Sequence, residues 1–402
     1  MRNWVCIILL LVGALSASAR TWRVEKDSSG DFTVIQDALD AASPGDSVLV
    51  GPGRFEDFRL HTFQTGGQAM IVLSIETLDL TVLGTGKSLT FIGPTAHVTE
   101  VDGFNPGALL IEEAGAKSTV GRFTFENVEY PVTIRERGTL FDSHVNTTGI
   151  QFGLQITQGD SVVIRDSEFT NGNAILMGSP LVTGLQIRGC HFDGPQSDDF
   201  AIAIGNGATD ALLANCTITG YGAGLGTSLG STAVAESCHF AGMEVGALDV
   251  SSGSITLRHC QIDGGMRYTM SAGQGRLEVY DSVIGGGTNA TLLTTTDVII
   301  RDSHLLNGGG LTVDFRGPAS AVVDVRSNWW GTTDQAQIES WISQYNPVVL
   351  YEPFLQGPVP VQQESLGGLK ARFGGGPRVR LRRRQRRRAD RPRPSAQVLV
   401  GP

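Results

Sequence analysis

Val163-Ile164-Arg165-Asp166-Ser167-Glu168-Phe169 returns in altered form as Gln186-Ile187-Arg188-Gly189-Cys190-His191-Phe192. It returns again as Leu212-Leu213-Ala214-Asn215-Cys216-Thr217-Ile218, Thr256-Leu257-Arg258-His259-Cys260-Gln261-Ile262, Glu278-Val279-Tyr280-Asp281-Ser282-Val283-Ile284 and Ile299-Ile300-Arg301-Asp302-Ser303-His304-Leu305. The anchors Ser167, Cys190, Cys216, Cys238, Cys260, Ser282, Ser303 and Asn328 stand 23, 26, 22, 22, 22, 21 and 25 residues apart. Fainter copies lie at Phe125 to Tyr130 and Leu140 to Val145. Self-similarity at a period near 22 residues marks a chain of stacked, equivalent units.

Two apolar columns give the unit its geometry. The first is Leu140, Ile164, Ile187, Leu213, Leu257, Val279, Ile300 and Val325; the second, five residues on, is Val145, Phe169, Phe192, Ile218, Phe240, Ile262, Ile284, Leu305 and Trp330. In one straight strand, residues five apart face opposite sides. Both columns are apolar, so the chain must bend between them. The residue at the bend is Asp142, Asp166, Gly189, Asn215, Asp281 or Asp302, types that tolerate turn and left-handed conformations. The small Ser or Cys that follows then points inward, and Gly-rich turns such as Gly264-Gly265 and Gly285-Gly286 close the unit. Short strands, polar corners and a fixed period describe a β-solenoid whose parallel strands stack about 4.8 Å apart; one coil cannot bury its apolar face alone.

The repeat resembles that of right-handed parallel β-helix proteins, the pectin lyase-like superfamily, in the form found in secreted bacterial proteins. The resemblance spans roughly residues 21 to 356. It implies an all-β fold, a right-handed parallel β-helix with a short N-terminal helical cap and a C-terminal cap. The opening Val24-Glu25-Lys26-Asp27-Ser28-Ser29-Gly30-Asp31-Phe32-Thr33-Val34-Ile35-Gln36-Asp37-Ala38-Leu39 resembles the segment that begins pectinesterases. Read from its residues, it is a short amphipathic helix with a Thr33/Gln36 capping box, Ile35, Ala38, Leu39 and Ala42 facing inward, and Pro44-Gly45 as its stop. Asn328-Trp329-Trp330-Gly331-Thr332-Thr333-Asp334, a helix around Gln335 to Ser343 and Tyr351-Glu352-Pro353-Phe354-Leu355 resemble the closing segment of such proteins. Trp329, Trp330 and Trp341 are either end-cap packing or a sugar-stacking platform.

Residues 1–19 read as an export signal: Arg2, an apolar stretch from Trp4 to Leu15, and Ala17-Ser18-Ala19 as the cleavage site. No other apolar run approaches the roughly 18 residues of a membrane span, so no transmembrane segment is expected in the mature protein. The β-helix with its caps is expected over 20–356 and a disordered Gly/Pro/Arg-rich tail over 357–402. Lys370 to Pro402 holds eleven Arg, one Lys and one Asp, a charge of +11; with +2 from Arg2 and Arg20 and −9 overall, residues 21–369 carry −22. A basic arm of this kind is a nucleic-acid signal in cytosolic proteins. Export instead points to an anionic envelope surface, to the acidic body itself, or to a solvated extension, and no nucleic-acid partner is expected.

Charged chance clusters aside, few residues suggest chemistry. Cys190, Cys216, Cys238 and Cys260 share one column. An exported protein with four cysteines suggests disulfides. In-register Cβ atoms, however, are as far apart as the strands, and a relaxed disulfide needs about 3.8 Å. Ser fills the same column elsewhere, so buried thiols are expected, and a linear row offers no tetrahedral zinc site. An outward column, Glu129, His144, Glu168, His191, Thr217, His239, Gln261, Val283 and His304, is either a cross-strand ladder or an acid–base or metal pair; Glu168, His191 and His144 are its binding candidates. A second, Arg165, Arg188, Arg258, Arg301 and Arg326, is a solvated charged face or a set of uronate carboxylate clamps, with Arg165 and Arg188 the candidates.

Ser197-Asp198-Asp199-Phe200 followed by Gly220-Tyr221-Gly222-Ala223-Gly224 is similar to the polygalacturonase family, and the resemblance implies catalytic roles for Asp198 and Asp199. The chain departs from that family at Asn171-Gly172-Asn173, at Tyr221 in place of a histidine, and in lacking Arg-Ile-Lys. An Asx turn at a coil corner is the alternative reading of the two aspartates. Gly310-Leu311-Thr312-Val313-Asp314-Phe315-Arg316-Gly317 echoes a pectinesterase motif without its partner, and Asp249 and Asp314 are three coils apart, too far to share one ion. The expectation is a secreted, non-catalytic carbohydrate-binding or surface scaffold, with a polysaccharide hydrolase or lyase as the alternative. Its partner is an acidic polysaccharide or envelope component, its oligomeric state is open, and no cofactor or metal is expected.

Overall fold

The computed structural model describes residues 18–359, except 64–65, 77–78, 86–88, 95–99, 113–116, 136, 147–151, 178–181, 196–199, 265, 319 and 344–347. Most of the segment read as an export signal, the basic tail, and both Asp198 and Asp199 therefore lie outside the described residues. What is described is a stack of coils whose strands form three long sheets of 14, 11 and 12 strands, parallel except for one strand. In each coil the chain runs from the first sheet to the second to the third. One complete example is Ala211–Ala214, Thr217–Thr219 and Ala223–Thr227. The fold is the right-handed parallel β-helix that the repeat implies.

The bend between the two apolar columns is the corner between the first and second sheets. In ten successive coils the corner residue has positive φ: Arg122 66°, Asp142 47°, Asp166 53°, Gly189 63°, Asn215 56°, Ser237 53°, His259 53°, Asp281 49°, Asp302 51° and Ser327 59°. A single left-handed residue reverses the pleat, so the apolar residues on both sides of it point inward. Both columns are indeed buried, and Phe169 and Phe192 stack inside the coil with centroids 5.0 Å apart and planes 14° from parallel.

The inward Ser/Cys column answers a hydrogen-bonding need as well as a size limit. Ser282 Oγ donates to the Tyr280 carbonyl at 2.7 Å and accepts the Cys260 amide at 3.1 Å. Ser303 Oγ donates to the Arg301 carbonyl at 2.7 Å and accepts the Ser282 amide at 3.1 Å, and Asn328 Oδ1 accepts the Ser303 amide at 2.9 Å. Each side chain thus serves a corner amide of the preceding coil and a carbonyl of its own. The four cysteines are free and buried, and their thiols likewise reach carbonyls two residues back, at 3.3–3.5 Å. Burial first, and then the neighbouring Cys216 thiol, push the Cys190 thiol well up from its ordinary range, so it is protonated and inert.

Helix α1 (Ile35–Ala41) closes one end, with Ile35, Ala38 and Leu39 buried against the first coils. The expected Thr33/Gln36 capping box is absent: Val34 is the N-cap and makes no side-chain cap bond. Gln36 instead reaches sideways, accepting the Ser74 amide at 2.8 Å and donating to Asp40 at 2.8 Å, because tying the cap to the third sheet satisfies more of its amide. Next to it Arg59–Thr62 pairs antiparallel with Gln68–Ile75 and covers the sheet edge, as exposed edges require. Its His61 bonds the buried Glu112 at 2.6 Å, and Glu112 also takes Arg135 at 2.8 Å. At the far end Trp330 is fully buried beneath Tyr351, and helix α2 (Gln335–Ser340) is capped by Asp334. Trp330 is end-cap packing.

The corner chemistry fixes two stability expectations. Asp281→Gly should be tolerated, whereas Asp281→Val, forced into the left-handed region, should cost about 1–3 kcal/mol. Ser282→Ala strands the buried Cys260 amide and should cost about 1–3 kcal/mol. Denaturant unfolding monitored by circular dichroism measures both; equal stability of the Gly and Val variants would refute the corner argument.

Candidate functional site

The structure distributes the sequence candidates over different sheets. Arg165 and Arg188 are register partners on the first sheet. Arg165 lies over the Phe141 ring at 4.4 Å and pairs with Asp166 at 3.0 Å, and Arg188 bonds Gln186 at 3.1 Å. His144, Glu168 and His191 occupy successive coils of the second sheet. The register corrects one member of that column: Thr124, not Glu129, stands opposite His144, because the fainter copy at Phe125 is offset from the main repeat. His144 uses both ring nitrogens, on Glu168 Oε2 at 3.2 Å and Thr170 Oγ1 at 3.2 Å. This is an exposed cross-strand ladder. Among the described residues, no three His, Cys, Asp or Glu side chains are placed to hold a metal ion.

The motif comparison around Asp198 and Asp199 also takes shape. Asn173 Oδ1 accepts the Phe200 amide at 2.9 Å, so its role there is to fix the start of the strand Phe200–Ile204. Tyr221, at the position of the family histidine, is fully buried inside the coil, where a ring in contact with Gly194 has no access to substrate. Asp314 is buried and held by Arg316, with contacts at 2.5 and 3.0 Å.

A concave site does exist on the third sheet, where sequence patterning gave little signal. The strands Phe200–Ile204, Ala223–Thr227, Gly246–Val250, Tyr268–Ala272 and Ala290–Thr294 lie side by side. Register sets Phe200 beside Ala223, Ala223 beside Gly246, and Tyr268 beside Ala290. Two half-buried aromatics therefore flank a floor of small residues, making a groove of about 250 Å³. The floor must be small. A Cβ on Gly246 would come within 2.5 Å of the Tyr268 carbonyl, and one on Gly226 within 2.6 Å of the Phe200 ring.

Asp249 and Ser271 are register neighbours on the side of this groove. Burial pushes the Asp249 carboxyl up from its ordinary value; the hydroxyl of Ser251, at 3.4 Å, pulls it only partly back. The next carboxyl along the row is Asp314, three register steps away through Ser271 and Leu293. Three steps are about 14 Å, beyond the roughly 6.5–9.5 Å that an inverting pair of carboxyls needs. As it stands, the described groove can stack, hydrogen-bond and exclude water.

Residues 132–284 match the family model described as a right handed beta helix region. No curated protein matches the chain. Among solved structures, the chain is similar to the periplasmic alginate epimerase AlgG (TM-score 0.42, 10% identity, covering 71% of this chain and 76% of that one). It is also similar to pectate lyase Pel9A (0.41, 12%, 78% and 80%) and to the A-module of the Azotobacter vinelandii mannuronan C-5 epimerase AlgE4 (0.39, 13%, 81% and 92%). Likeness at this level transfers neither residues nor activity.

Two carboxylates give opposite pH signatures. Asp324 is gripped by Arg326 and Arg301, and Arg326 foremost holds its carboxyl far below the usual range. The stabilisation it provides is present above about pH 4, the unfolded value, and is lost as pH falls through the lower folded value. Asp324→Asn should therefore destabilise at neutral pH, with the deficit shrinking in acid. Asp249, raised by burial, opposes folding when ionised, so Asp249→Asn should raise stability at neutral pH and lose that advantage in acid. Thermal unfolding of both variants across the pH range checks the two signs; a destabilised Asp249→Asn would refute its desolvation.

Proposed function

We propose that this chain, with its right-handed parallel β-helix fold, is an exported binding scaffold that holds a carbohydrate in its third-sheet groove. The supporting observation is the groove itself: aromatic walls at Phe200 and Tyr268, a floor of Ala223 and Gly246, and Asp249 with Ser271 as hydrogen-bonding groups on one side. Aromatic faces beside a few fixed polar groups suit a ring with an apolar face and equatorial hydroxyls. Binding rather than cleavage is supported by the spacing of carboxyls along the row, by the burial of Tyr221 inside the coil and by the Arg316 pairing that occupies Asp314. The ladders on the other two sheets serve the stack. Export follows from the signal read at residues 1–19 and places the ligand outside the cytoplasm or in the periplasm.

The test is calorimetric titration of the mature protein with a panel of oligosaccharides, alongside assays for new reducing ends and for unsaturated uronate absorbance. Binding without cleavage is expected, weakened at least tenfold in Tyr268→Ala and in Phe200→Ala. Turnover that disappears in Asp249→Asn, or in the Asp198→Asn/Asp199→Asn double variant, would make the protein an enzyme and overturn the scaffold reading.

A further inference from the structure

The ligand's charge can be read from what surrounds the groove. The eleven parallel strands of the third sheet, from Gln68–Ile75 to Leu311–Phe315, contain no Lys or Arg; their only charged residues are Asp249 and Asp314. The chain that builds the groove and its rims is likewise poor in cations. From Cys190 to Gln274 there are eight acidic residues and two basic ones, Arg258 and Arg267. Arg258 belongs to the first sheet, over the Tyr280 ring. Arg267 is exposed and precedes Tyr268 in the chain.

A uronate polymer carries a carboxylate on every ring. Holding one in a partly desolvated groove requires cations, either Arg forks and Lys ammonium groups or a metal ion bridging several carboxylates. The third-sheet groove has neither. Its one carboxyl is desolvated already, so a second, substrate carboxylate beside it would raise the cost of ionisation further. The charge of −22 on residues 21–369 adds a long-range field of the same sign. By contrast, Asp249 and Ser271 offer donors and acceptors suited to hydroxyls, and Phe200 and Tyr268, three coils or about 14 Å apart, suit stacking at the two ends of a short chain of rings.

From this juxtaposition we infer that the ligand of the third-sheet groove is an uncharged glycan and not a uronate polymer, which replaces the acidic polysaccharide expected from the sequence; the inference rests on the groove being a carbohydrate site. Recognition is by stacking and hydroxyl hydrogen bonds, and it is insensitive to salt. The Arg rows of the first sheet remain structural, since their members are tied to Asp166, Gln186 and Asp324.

The experiment titrates the mature protein with four hexasaccharides, two neutral (cello- and manno-) and two acidic (galacturono- and mannurono-), at about 0.05 M and about 0.5 M salt, a range over which exposed charge interactions are screened out. The expected result is that at least one neutral hexasaccharide binds, with less than a twofold change between the salts. That binding falls at least tenfold in Tyr268→Ala, while Arg267→Ala leaves it unchanged. Binding of an acidic hexasaccharide that is lost in Tyr268→Ala and in Arg267→Ala would overturn the charge inference and leave the carbohydrate groove intact. Binding of any member that survives both Phe200→Ala and Tyr268→Ala, or of none, would overturn the groove reading itself. Circular dichroism of each variant separates loss of the site from loss of the fold.

Discussion

The left-handed corner between the first and second sheets is the constraint on which the rest of this structure depends. The corner residue of each coil from Asp142 to Ser327 adopts positive φ, and the Ser, Cys or Asn after it supplies hydrogen bonds that the strands cannot. Through these coils the corner is made the same way, which keeps the apolar columns of each coil in line with both neighbours. Stacking then multiplies the requirement: Ser282 serves Cys260 above it and is served by Ser303 below. Cysteine can replace serine because a buried thiol fills the same space and still reaches a carbonyl. Hence the cysteines, conspicuous in the sequence, stand in the stack as replacements for serine.

A tightly specified corner frees the opposite side of the coil. The turns into and out of the third sheet vary in length, whereas from Gly121 to His304 the corner between the first two sheets is two residues in every coil. Small residues at Ala223, Gly226 and Gly246 let the Phe200 and Tyr268 side chains settle against the sheet without disturbing the core. Function and folding are thereby separated in space. The polar ladders of the second sheet pair among themselves, and the third-sheet face keeps a desolvated carboxyl whose burial works against folding. A half-buried carboxyl without an opposite charge is an expense that a purely structural face has no reason to carry.

The solenoid was legible in the sequence because its period is carried by two apolar columns and by the turn-forming residues between them. Asp142, Asp166, Gly189, Asn215, Asp281 and Asp302 are all left-handed, as their residue types allow. The helix boundaries were nearly right, but Gln36 was misread, since its partner Ser74 is 38 residues distant and local pattern cannot reach it. The groove was not legible. Phe-Ala-Ile-Ala-Ile and Ala-Gly-Leu-Gly-Thr are too rich in small residues to show alternation, and Phe200 and Tyr268 come together only through a register three coils long. A signal was present in one respect: the span from Cys190 to Gln274 is almost free of basic residues. The attention drawn by the Arg and His columns pointed to the other two sheets.

The central claim is a location, and a crystal structure of the mature protein soaked with a neutral oligosaccharide tests it most directly. The account predicts sugar rings lying across Ala223 and Gly246, stacked on Phe200 or Tyr268 and hydrogen-bonded to Asp249 or Ser271. Sugar seated instead along Arg165 and Arg188, or along His144, Glu168 and His191, with the third-sheet groove empty, would contradict it.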